Sequence, residues 1–96
     1  MSERAVLLEF DAVIQKAPDQ DAAYVAVPVD LRARFGKGRL PVSAEFDGAA
    51  YDGSVVNMGL RNPDGTVCYV LGVRKDLRAR IGKQPGDSVH VVLRLR

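Results

Sequence analysis

The chain has no tryptophan, one cysteine and one histidine in 96 residues. Each shortage removes a class of chemistry. A lone Cys68 cannot form an intrachain disulfide, which suits a reducing compartment. One Cys and one His offer no ligand spacing for zinc, so no metal and no cofactor are expected. No apolar run approaches the ~20 residues of a membrane span, and the N-terminus lacks the apolar core of a signal peptide. The expectation is a cytoplasmic protein that does not touch membranes. Aromatic residues make up only 6% of the chain, so the core must rest on Val, Leu and Ala. The hydrophobic fraction of 47% is ordinary for a globular protein, and the length suits one small domain over residues 1–96.

Charge is modest in sum and uneven in place. The net charge is +2; residues 1–48 carry six Lys/Arg and eight Asp/Glu, whereas residues 49–96 carry eight and four. That asymmetry permits contact with an acidic partner but falls short of a strongly basic nucleic-acid-binding domain.

What the chain does have is a repeat. Asp30-Leu31-Arg32-Ala33-Arg34-Phe35-Gly36-Lys37 returns as Asp76-Leu77-Arg78-Ala79-Arg80-Ile81-Gly82-Lys83, offset by 76 − 30 = 46 residues. Upstream, Tyr24-Val25 answers Tyr69-Val70 after a one-residue slip. A unit recurring once suggests two similar halves, about 23–47 and 68–95, that fold on each other. Each octapeptide reads as one helical turn. Leu31 with Phe35, and Leu77 with Ile81, share a buried face; the Asp starts the turn as N-cap or first-turn residue; the Gly ends it.

Strands fill the rest. Val6, Leu8, Phe10, Ala12 and Ile14 alternate with Leu7, Glu9, Asp11, Val13 and Gln15, which predicts one long strand. Residues 17–21 read as a polar loop. Further strands are expected over 23–29, 41–46, 50–58, 66–73 and 89–95. Asp47-Gly48 and Asn62-Pro63-Asp64-Gly65 are hairpin turn signals. Six strands with two helical turns make an all-β protein, and a closed or half-closed barrel is the natural way to bury them.

The candidate chemistry is thin. Ser54 wants a base, yet His90 should lie on the exposed face of its strand with Arg94 and Arg96, so a triad is not expected. Cys68 shares a strand face with Val70 and reads as an inert, small apolar residue. Gly36-Lys37-Gly38-Arg39 lacks the Lys-Ser/Thr end of a P-loop and reads as a helix cap and loop. The candidate ligand-binding group is Ser54, Asn57, Arg74, Lys75 and Arg78, an anion pocket around the densest basic cluster. The alternative group is Arg32, Arg34, Arg78 and Arg80, a symmetric pair of basic edges for phosphates.

Val73-Arg74-Lys75-Asp76-Leu77-Arg78 through Gly82-Lys83-Gln84-Pro85-Gly86-Asp87-Ser88-Val89 resembles the AbrB/MazE-type swapped-hairpin module. That resemblance implies a double-split β-barrel with an internal pseudo-two-fold repeat in a single chain, and DNA binding. A wider set of positions is similar to a bacterial "domain of unknown function" family, nineteen-oh-five. It comprises Phe10 and Ile14-Gln15-Lys16, Tyr24-Val25 with Val27-Pro28, and Phe35-Gly36-Lys37-Gly38. It continues through Asp47-Gly48, Gly53-Ser54, Met58-Gly59, Leu71-Gly72-Val73-Arg74-Lys75, Arg78 and Gly86-Asp87-Ser88-Val89. That family also implies a double-split barrel and carries no established activity. The expectation is therefore a non-catalytic binding module, not an enzyme, whose partner is a protein or a small anionic molecule. It would act as a monomer or weak homodimer. The alternative is a DNA-binding regulator or antitoxin of the AbrB type, with DNA the less favoured partner.

Overall fold

A computed structural model describes residues 6–17 and 22–96. In chain order the strands are β1 (Val6–Val13), β2 (Gln15–Lys16), β3 (Ala23–Val27), β4 (Arg39–Phe46), β5 (Ala49–Arg61), β6 (Val67–Gly72) and β7 (Ser88–Leu95). Helix α1 (Leu31–Phe35) lies between β3 and β4, and α2 (Lys75–Ile81) between β6 and β7. All strand pairings are antiparallel, in the order β1-β7-β4-β5-β6-β3-β2. The first and last members of that order are consecutive in the chain. A single segment, 6–16, thus supplies both edges of one curled sheet, a half-barrel.

The handover occurs at Ile14. Its N–H donates to the Asp87 carbonyl (2.9 Å), and its own carbonyl accepts from the Gly86 N–H (2.8 Å). Before Ile14 the chain pairs with β7; after it, Gln15 and Lys16 pair with Tyr24 and Ala23. The single strand expected over 6–15 is therefore two strands, and the described residues hold seven strands rather than the six expected. A bulge between Val6 and Leu8 shifts the start of β1, leaving Val6 exposed outside the expected apolar face. The polar loop expected over 17–21 falls, beyond Ala17, outside the described residues.

Alternation drives β4. Leu40, Val42, Ala44 and Phe46 are buried while Arg39 and Pro41 face out. Pro41 is tolerated in this interior strand for a local reason. Its carbonyl accepts from Arg96 N–H on the β7 side, so its missing N–H also points there, beyond the β4–β7 ladder that begins at Val42. Both hairpin signals are realised. Asp47 (φ 50°) and Gly48 (φ 87°) make a two-residue β4–β5 turn with both φ positive, the geometry that suits strand twist. In the β5–β6 turn, Asp64 Oδ1 accepts from the Thr66 N–H (3.0 Å) and hydroxyl (2.6 Å), which holds its carboxyl below the ordinary value.

The core lies inside the curl. Val25, Val27, Leu71, Val55, Val89, Val91 and Leu93 line it, and each helix adds one fully buried Leu, Leu31 and Leu77. Phe35 and Ile81 are half-buried against the same core. The Tyr24-Val25/Tyr69-Val70 match is not structural: Val25 lies opposite Leu71, Tyr69 is buried and Tyr24 only partly so.

Candidate binding groove

Because β1 pairs with β7 and not with β3, and only Gln15 and Lys16 pair with β3, the curl does not close along its whole length. β3 ends at Val27, where Pro28 interrupts it, and Val29 N–H turns back to the Val27 carbonyl (2.8 Å). The gap is a groove of about 1040 Å³. Its floor is apolar: Phe10, Ala12, Val27, Val29, Val67 and Tyr69. Its rim is polar: Asp11 and Gln15 from the first segment, Asp30 and Arg32 from the start of α1, and Asn57, Arg61, Asn62 and Thr66 from the β5–β6 hairpin.

The rim charges are not equally available. The Asp30 carboxylate caps α1 by accepting from the Ala33 N–H (3.1 Å). Asp11 faces His90 (2.7 Å). Arg61 donates one bond to the Gly65 carbonyl (3.2 Å), which leaves most of its donors open. The Arg32 guanidinium makes no hydrogen bond or ion pair among the described residues, and it lies beside Gly38. The side chains of Asp30, Asp11 and Arg61 thus each have one partner, and among the described residues that of Arg32 has none.

A second polar cluster lies on the outer face of β1 and β7. His90 Nδ1 is 2.7 Å from Asp11 Oδ1, and Nε2 is 2.6 Å from Glu9 Oε2. With a carboxylate at each nitrogen, the ring is a double donor only as imidazolium. Asp11 first and Glu9 second raise its pKa above the ordinary 6.5. The His90 backbone N–H donates to Asp47 Oδ1 (2.9 Å); this bond, with Lys83 at 3.3 Å, pulls Asp47 below its ordinary 3.8. The two carboxylates bind opposite ring nitrogens and do not converge on one point. Among the described residues no set of three His, Cys, Asp or Glu side chains could hold a metal ion.

The residues singled out from sequence are dispersed. Ser54 and Asn57 are three apart on β5, so their side chains leave opposite faces. Asn57 shares the core-side parity of Val55, lines the groove and accepts from the Gly59 N–H (2.8 Å); Ser54 points the other way. Arg74 lies over the Tyr51 ring (5.2 Å) and pairs with Asp76 (3.5 Å). That ring lies across Gly53, where an added Cβ would come within 2.8 Å of it. Lys75 is exposed at the start of α2, and Arg78 has its Nε buried without a partner. The five-residue anion pocket around Ser54 is therefore not assembled.

The basic edges do not assemble either. Arg32 is in the groove, Arg34 lies over Phe35 (5.6 Å), and Arg80 donates to the Ala50 carbonyl (3.3 Å). Cys68 is buried beside the fully buried Val70 on its face, as expected. Sequence reasoning missed the groove and the His90 cluster. The cluster had a signal: Glu9 and Asp11 share the outward parity of β1, as His90 does on β7.

No helix among the described residues is long and apolar enough to cross a membrane. No curated protein matches the chain. The family described as "Domain of unknown function (DUF1905)" matches residues 10–93, most of the sequence and all of the groove-forming elements. The chain belongs to that family.

Proposed function

We propose that this protein is a non-catalytic binding module whose groove takes a small amphipathic anion. The carrying observation is the groove itself: an apolar floor beneath a rim where the Arg32 guanidinium is without a partner among the described residues, Arg61 keeps most of its donors, and Asp11 is met by the His90 ring. Its volume is at the upper end for small-molecule sites, and its lining is part apolar and part polar, as an amphipathic ligand requires. The ligand's apolar body would lie on Phe10, Val27 and Tyr69, and its head group between the two guanidinium groups.

Within this reading the half-barrel is a double-split barrel built from a pseudo-two-fold repeat. Two register facts support it. Val25 pairs with Leu71, 71 − 25 = 46 residues on, the offset of the repeated octapeptide. Ala44 pairs with Leu93, 93 − 44 = 49 residues on, and the turn from Gly82 to Val89 is three residues longer than that from Gly36 to Leu40. Val25 and Ala44 thus each face their own counterpart, as residues at a local two-fold axis do.

The test is an NMR titration with decyl sulfonate and, as an uncharged control, decanol. Saturable shifts at Phe10, Val27 and Tyr69 with the sulfonate are expected. Arg32→Ala should weaken binding about tenfold, the worth of a charge-assisted bond near 1.5 kcal/mol. Arg96→Ala should not. Equal affinity for decanol, or equal losses in both variants, would overturn the reading.

A further inference from the structure

The Glu9–His90–Asp11 cluster lies against one wall of the groove. Asp11 is part of that wall, and its neighbours Phe10 and Ala12 belong to the floor. β1 is an edge strand held by β7, and His90 lies directly opposite Asp11. The other charged groups nearby are already matched. Glu45 on β4 accepts from Arg94 (2.6 Å), and Asp47 in the β4–β5 turn is met by Lys83 and the His90 N–H. Glu9 and Asp11 are the two carboxylates that depend on the His90 ring.

We infer that His90 is a proton-operated clamp on the groove: as imidazolium it neutralises Asp11 and fixes the β1 wall, and on losing its proton it leaves uncompensated negative charge beside the anion's seat. This rests on the amphipathic-anion reading of the groove. The direction follows from charge. A proton on His90 favours an anionic ligand; by linkage, the bound anion favours that proton. The clamp's contribution to folding has the same sense. A histidine value raised by folding adds stability that is complete below about 6.5 and disappears as pH climbs through the raised value.

The experiment is the decyl sulfonate titration at pH near 6 and near 9, with the ring carbons of His90 followed in the free protein. The sulfonate stays ionised throughout. Wild type should bind about three- to tenfold more weakly at the higher pH. The two variants should become insensitive to pH in opposite senses. Asp11→Asn should bind tightly at both values because the charge is gone. His90→Gln should bind weakly at both because the carboxylates have lost their cation. The His90 titration midpoint should lie above 6.5 in wild type and fall in Asp11→Asn. Binding by wild type that does not change with pH overturns the clamp and leaves the groove reading standing. PH dependence that persists in Asp11→Asn also overturns the clamp. Absence of sulfonate binding at both pH values overturns both.

Discussion

Helices α1 and α2 are built from nearly the same eight residues, yet they are held differently. Both bury one Leu completely and both end on a left-handed Gly, Gly36 at φ 66° and Gly82 at φ 67°. Their starts differ. Asp30 is the N-cap of α1 and bonds the Ala33 N–H. Asp76 lies inside the longer α2, whose N-cap is Arg74 and has no side-chain cap bond. Their basic residues differ too. Arg32 opens into the groove, whereas its counterpart Arg78 has a buried Nε. Lys37 is exposed, whereas Lys83 reaches the Ser88 carbonyl (2.6 Å) and Asp47 (3.3 Å). The shared pattern encodes the turn; the flanking residues decide which side chains are left for binding. Pro28 ends β3 before α1, whereas Arg74, the N-cap of α2, lies over the Tyr51 ring of β5.

The strongest test of the shared part is a pair of core truncations. Leu31→Ala and Leu77→Ala should each cost about 2–5 kcal/mol in urea melts, because each creates a cavity at a fully buried site. A loss in only one would mean that the turns are not seated alike. The next effect separates the copies. Asp30→Ala should cost about 1 kcal/mol as a lost cap. Asp76→Ala should cost less than about 0.5 kcal/mol, since its ion pair with Arg74 is well exposed. Equal costs would place Asp76 at a cap.

The smallest effect is in the lysines and depends on pH. Asp47 is held below 3.8, so its contribution is present above that value and lost as pH falls through the depressed one. Lys83→Ala should therefore destabilise at about pH 7 and less once pH has fallen through that depressed value, read from the same melts. Lys37→Ala should change nothing measurable at either pH. A loss with Lys37→Ala as large as that with Lys83→Ala would erase the distinction.

Local chemistry was readable in the residues, and distant juxtaposition was not. Asp47-Gly48, Asn62 to Gly65 and both glycine-ended turns carry their geometry in their own side chains and backbone preferences. The alternation of β4 likewise reports its buried face. The switch at Ile14 has no local marker, because it depends on where the Gly86–Asp87 loop ends. The groove is a gap between strands that do not pair, and no periodicity encodes a gap. Asp11 and His90 are 79 residues apart in sequence, and only the β1–β7 register brings them face to face. Ser54 and Asn57 could have been separated from sequence by strand parity alone.

The pairing of β1 with β7 also sets a timetable. Val6–Val13 is synthesised some eighty residues before its ladder partner Ser88–Leu95. At ribosomal speeds of about 5–20 residues per second, the first strand waits several seconds for its mate. Until then Leu8 and Phe10 have no β7 to lie beside, and closing so long a loop is slow. Of these two ladder partners, the one made first is thus held only when the second arrives.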